Sequence, residues 1–167
     1  MKLLPAAIIL ICSAIPAHAQ RGLLRWAYGP FGTPGDVAYV VENGRIFQAC
    51  GAAGMRGACV YVFTEQQVWH SADAFGSPGA CAFMADGGRL IRCSGPFGTR
   101  GSCALLLERE KVFRADGPFC NKAEGAFLLD GRMVHLGDGP FATRGDAVLQ
   151  VQGEVPMIAL LAILAGL

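Results

Sequence analysis

Apolar positions along this chain come in two kinds of short run that alternate without slipping. A run such as Val37 to Val41, Val60 to Phe63, Ala82 to Ala85, Ala104 to Leu107, Ala126 to Leu129 or Ala147 to Val151 is followed by a polar turn. A second run then alternates polar and apolar residues. Each run is too short for a stable helix and rich in β-formers, which predicts strands. Turns such as Glu42-Asn43-Gly44-Arg45 and Asp86-Gly87-Gly88-Arg89 join them. Glycine there accepts the positive φ of a tight hairpin. The second runs stack into columns every 22 residues: Ile46, Val68, Leu90, Val112 and Val134, then Phe47, Trp69, Ile91, Phe113 and His135. Gln48, His70, Arg92 and Arg114 follow, and read as a solvated strand face. Six tandem hairpins are predicted, with Gly22 to Ala27 as a further strand ahead of them.

Each unit opens on a glycine-rich loop, with Gly95-Pro96-Phe97-Gly98-Thr99-Arg100-Gly101 as the fullest copy. Its aromatic recurs at Phe31, Phe75, Phe97, Phe119 and Phe141, and Ala53 breaks the column. A loop this rich in glycine needs an anchor against its entropy, so these phenylalanines are expected to tuck inward rather than to stack on a ligand. A longer period overlies the first. Arg56, Arg100 and Arg144 recur every 44 residues, where the intervening copies have Pro34, Pro78 and Lys122. That alternation predicts an all-β, three-fold fold, a β-trefoil-like barrel of three 44-residue units, with an open β-hairpin solenoid as the alternative. The repeats lack the Gly-x-Gly and Tyr-Gly signatures of MORN units, the Tyr-Asp of YD repeats and the paired tryptophans of choline-binding repeats.

The phrase Gly88-Arg89-Leu90-Ile91-Arg92-Cys93-Ser94-Gly95, followed by Ser102-Cys103-Ala104-Leu105, is similar to the opening of a ricin-type lectin repeat. The Gln-x-Trp of that family falls at Val37-x-Tyr39, Cys81-x-Phe83 and Gly125-x-Phe127, where only the aromatic is kept. The resemblance, over residues 22–151, implies a β-trefoil that binds rather than catalyses, and it carries no sugar site.

Residues 1–19 read as a secretory signal peptide: Lys2, an apolar core from Leu3 to Ile15, and the small-x-small site Ala17-His18-Ala19. Cys12 lies within that core and is not read as a lipidation site. The product is expected to be exported, secreted or periplasmic, with one domain over 20–154 and an apolar segment over 155–167. Without Lys2 the formal charge falls from +1 to about zero, which offers no field to nucleic acid. Six of the seven cysteines remain after Cys12 is set aside. In an exported chain they predict disulfides. Because two pairs bracket loops, Cys50–Cys59 and Cys93–Cys103 are expected, leaving Cys81 with Cys120. Residues 157–167 carry no charge, are too short to span a bilayer, and read as a last strand or short helix over the open end of the barrel. Peripheral membrane contact or oligomerisation through them is the alternative.

Catalytic chemistry finds little support. His70 and Ser71 are adjacent, and neighbours on a strand face opposite ways, so they form no dyad. Glu42 with Arg45, Asp86 with Arg89 and Glu108 with Lys111 read as turn pairs. No metal or other cofactor is expected. The candidate binding residues are Arg56, Arg100 and Arg144, with Thr99 and Thr143. Their loops expose backbone N–H groups beside a guanidinium, an arrangement suited to anions. The competing reading has each arginine brace its loop against an aspartate such as Asp116, Asp138 or Asp146. The expected function is a non-catalytic binding module for acidic or other envelope glycans; the alternative is a structural or inhibitor-like protein-binding module.

Overall fold

A computed structural model describes residues 21–51 and 53–167; the predicted signal peptide lies outside the described residues. Twelve strands precede one helix: β1 (Arg21–Tyr28), β2 (Thr33–Glu42), β3 (Arg45–Cys50), β4 (Met55–Phe63), β5 (Gln67–Ser71), β6 (Pro78–Asp86), β7 (Arg89–Ser94), β8 (Thr99–Glu108), β9 (Lys111–Asp116), β10 (Asn121–Asp130), β11 (Met133–Asp138), β12 (Thr143–Gly153) and α1 (Met157–Leu164). Every strand pairs antiparallel with its neighbours in sequence, and β1 pairs with β12 through Leu24 opposite Val151 and Trp26 opposite Leu149. The result is one closed twelve-stranded barrel. Neither the trefoil nor the open solenoid is correct.

The reason lies in a bulge repeated in every unit. Leu24 pairs with Tyr39 and Arg25 with Val37, so Ala38 between them has no partner. The same residue is skipped at Val60, Ala82, Ala104, Ala126 and Val148. A bulge bends its strand and increases the local twist. A trefoil needs two kinds of hairpin, three in the barrel and three in the cap. Six hairpins with the same bend instead add up to a ring with no free edge.

The bulge also sets which residues face inward. Ala38 and Tyr39, successive in sequence, both join the inner cluster with Val41, whereas Val37 and Val40 pack outside against Phe47. The column Leu24, Ile46, Val68, Leu90, Val112 and Val134 is wholly inside. A barrel of about eight strands is filled by its own side chains. Twelve leave a wider lumen, and α1 occupies it. Ile158 through Leu164 are all buried, in one cluster with the inward rows of the wall. A helix that is apolar all round is an enclosed one. The expected cover at the barrel end is thus a helix threaded inside it. Ile158 to Leu164 face the lumen wall, so that part of 157–167 presents no surface to a membrane or a second copy. No helix among the described residues is long and apolar enough to cross a membrane.

Candidate functional site: the recurved loops and the barrel mouth

The six long loops leave one end of the barrel and fold back over its outer wall. Carbonyls of five of them accept bonds from the backbone of the preceding even-numbered strand: Gly29 O from Ala147 N (3.0 Å), Ala74 O from Cys59 N (3.2 Å), Gly95 O from Cys81 N (3.0 Å), Gly117 O from Cys103 N (3.0 Å) and Gly139 O from Gly125 N (2.9 Å). Each donor stands next to the unpaired residue of a bulge. The bulge takes a N–H out of the ladder, and the loop of the next hairpin satisfies it. Close approach demands glycine at the tip: a Cβ on Gly54 would lie 2.9 Å from Val37 Cγ2, and Gly54 sits at φ 67°. Arg45 Nε donates to Gly76 O at 3.3 Å, Lys111 Nζ to Phe141 O at 2.6 Å, and Arg21 Nη2 to Gly54 O at 3.1 Å.

The disulfides belong to this same attachment. The expected pairs Cys50–Cys59, Cys93–Cys103 and Cys81–Cys120 are not formed; the bridges are Cys81–Cys93 and Cys103–Cys120. Cys59, Cys81 and Cys103 hold one outward position on successive even-numbered strands, and Cys120 reaches Cys103 from a loop tip. Cys59 has Ser71 and Gly76 where its two counterparts have cysteines, and it is unbridged, as is the exposed Cys50. In β3 and β4, Cys50 is in register with Met55 and Cys59 with Phe47, so the two are offset along the strands and cannot meet.

The candidate arginines do not gather. Arg56, Arg100 and Arg144 stand on β4, β8 and β12, spread around the outer wall. Each donates to a carboxylate fourteen residues earlier: Arg56 to Glu42 (2.6 Å), Arg100 to Asp86 (3.2 Å) and Arg144 to Asp130 (3.0 Å). Lys122 does the same to Glu108. These carboxylates replace both the turn partners and the aspartates 116, 138 and 146 named above. In each case the basic side chain crosses the strand between: the Arg56 guanidinium lies over Phe47 and Lys122 Nζ over Phe113. Thr143 Oγ1 bonds Asp138 O at 3.0 Å and closes its own loop; Thr99 stands opposite Ser94 in the ladder.

The loop phenylalanines overturn the expectation of an inward anchor. Phe31 is 96% exposed, Phe97 95%, Phe75 86%, Phe119 82% and Phe141 72%. The loop is held by its carbonyls, cations and disulfides, so the ring is left over. Five rings at equivalent positions of six similar units make a girdle around the barrel, with its gap at exposed Ala53. Sequence reasoning had the column but not its direction, since a phenylalanine after a proline reads alike in either orientation. The loop at Asp73 is built differently. Its Oδ1 accepts from the N–H groups of Phe75, Gly76 and Ser77. Bonds from the hydroxyl and then the backbone of Ser77 hold that carboxyl below its ordinary range.

The row Gln48, His70, Arg92 and Arg114 was missed as a site. It follows the inward column by two residues, so it points toward the lumen mouth, and all four side chains are exposed there, as expected of a solvated strand face. Arg92 and Arg114 line a small cavity there with the end of α1. His70 lies beside Tyr61, ring centroids 5.3 Å apart. Burial raises the Tyr39 and Tyr61 hydroxyls above their ordinary pKa, and Tyr39 raises Tyr61 further. Among the described residues no cluster of His, Cys, Asp and Glu could hold a metal ion. Protein-family models, curated proteins and solved structures give no match to this chain.

Proposed function

We propose that this protein is an exported binding module that engages its partner through the girdle of loop phenylalanines. The observation that carries the reading is their exposure, 72–96% at five equivalent positions, on loops whose backbones are already fixed. Rings held in this way stack on sugar faces or enter apolar recesses with little further ordering cost. They point away from the wall in different directions, so no single small ligand can engage them together. A repetitive partner can, and its several weak contacts then gain from effective concentration. An envelope polysaccharide fits that requirement. Acidic groups are not needed for it, because Arg56, Arg100 and Arg144 each meet a carboxylate already.

The test is binding to purified envelope polysaccharide by single and combined Phe→Ala variants at 31, 75, 97, 119 and 141. Graded loss is expected, with about a tenfold drop once two or three rings are removed. A folded variant lacking all five rings that binds as well as the parent would end this reading. The outward spread of the rings also favours a second one, a structural module that holds several envelope proteins at once. Retention of envelope proteins with no polysaccharide binding would select it.

A further inference from the structure

Arg92 and Arg114 differ from the paired cations of the outer wall. They stand on β7 and β9 with β8 between them, and both line one cavity of about 30 Å³ at the barrel mouth. Its remaining wall is apolar and includes Leu105, Phe127, Leu164 at the end of α1, and Ala165 and Leu167 beyond it. Arg92 is aimed by a bond from Nη1 to Cys103 O at 3.0 Å, and Cys103 is itself fixed by its disulfide to Cys120. Arg56, Arg100, Lys122 and Arg144 each meet a carboxylate. Among the described residues neither Arg92 nor Arg114 does. Both side chains are exposed at the mouth, where two like charges lining one cavity favour an anion between them. A planar guanidinium fork matches an oxyanion.

We propose that the barrel mouth is a binding site for one oxyanion head group, a carboxylate, phosphate or sulfate, held between Arg92 and Arg114. The cavity is about the size of one water molecule, so the head group lies at its opening between the two forks and any remainder of the ligand extends across the mouth. The site is separate from the loop phenylalanines and stands or falls independently of them.

The experiment is thermal unfolding of the full chain against inorganic phosphate, sulfate and octanoate, at constant ionic strength set with chloride. A saturable rise in Tm of several degrees is expected with at least one of them. It is expected to disappear in the Arg92→Gln/Arg114→Gln double variant and to persist in the Arg56→Gln/Arg100→Gln/Arg144→Gln triple variant. A response to phosphate or sulfate that octanoate does not exceed identifies a free anion. A tighter response to octanoate identifies an amphiphile. No saturable response to any of the three overturns the proposal, as does a response that survives in the double variant. Should the double variant fail to fold, Arg114→Lys keeps the charge and loses the fork. An undiminished anion response in Arg114→Lys, together with unshifted amide signals of Leu164–Leu167 on titrating the parent with phosphate, would overturn it equally.

Discussion

Arg56 reaches Glu42 at 2.6 Å by crossing the whole of β3, and its guanidinium carbon lies 5.5 Å from the centre of the Phe47 ring that it covers. One side chain thus closes an ion pair and roofs a buried aromatic. An exposed ion pair alone is worth roughly 0–1 kcal/mol, whereas loss of the aliphatic stem also uncovers ring surface. Arg56→Ala is therefore expected to destabilise more than Glu42→Ala. A double-mutant cycle in urea should return a coupling below about 1 kcal/mol. Because Glu42 also lies 3.8 Å from Arg21 Nε, the comparison is made in an Arg21→Ala background, where equal single effects would show that the stem contributes nothing.

Cys59 occupies the position that Cys81 and Cys103 use for their bridges, but the residues matching Cys93 and Cys120 are Ser71 and Gly76. Tyr61 opposite His70 reproduces the register of Phe83 opposite Arg92, so Ser71→Cys places a thiol beside Cys59 as Cys93 is placed beside Cys81. A third disulfide is expected to form and to stabilise by about 2–4 kcal/mol. Peptide mapping and unfolding with and without reductant check it. A thiol that stays free under oxidising conditions contradicts the equivalence of the units.

His135 is 1% exposed in a row otherwise filled by Arg25, Phe47, Trp69, Ile91 and Phe113, and its Nε2 has no partner. Its Nδ1 lies 3.2 Å from Gly145 O. A buried polar atom without a partner costs about 1–3 kcal/mol, more than one neutral hydrogen bond returns. His135→Phe is expected to raise the stability by about 1 kcal/mol. A lower midpoint in denaturant would show that the Gly145 bond outweighs the orphaned nitrogen.

The strands and turns were legible in the chain because turn glycines at Gly44, Gly88 and Gly131 punctuate runs that keep one spacing. Closure was not. It depends on one skipped residue per unit, visible only as a small residue before a larger one, as at Ala38-Tyr39 and Ala82-Phe83, where two successive residues face inward and strict alternation fails. The 44-residue period was overread for a related reason: Lys122, counted as a break in the arginine pattern, makes the same contact as the arginines. For α1 the signal was present. Met157 to Leu164 has no polar face, which suits a helix enclosed on all sides rather than one covering an end. The direction of the loop phenylalanines could not be read, because what fixes the loops is backbone, cations and disulfides from other strands.

Tyr39 and Tyr61 carry hydroxyls whose pKa is raised, in both by burial and in Tyr61 also by its neighbour Tyr39. The folded state then holds the neutral phenols better than the unfolded chain does, where tyrosine titrates near 10. Their contribution is complete below about pH 10 and is lost as the pH rises from there through the higher folded values. Absorbance titration should show Tyr39 and Tyr61 ionising above the range of a free phenol. Tyr39→Phe is expected to bring the titration of Tyr61 down. If Tyr39 and Tyr61 ionise near pH 10, the two rings are not held at the mouth.

The lumen helix offers the most direct check of the architecture. Ala159 and Ala162 are both fully buried, and alanine leaves α1 slender where it passes the large inward residues of the wall. Additional methylenes there have no free volume to enter, and overpacking typically costs about 1–3 kcal/mol. Ala159→Leu and Ala162→Leu are expected to destabilise by that amount. In a helix lying over the barrel end, the same changes would be neutral or slightly stabilising, since leucine propagates helix almost as well as alanine. Leu161→Asp goes further: it places a carboxylate among apolar walls with no partner, and the charge must be neutralised or the helix expelled. Loss of cooperative unfolding in that variant is expected, with protease cleavage after residue 153. A variant that unfolds cooperatively and resists cleavage would place α1 outside the barrel.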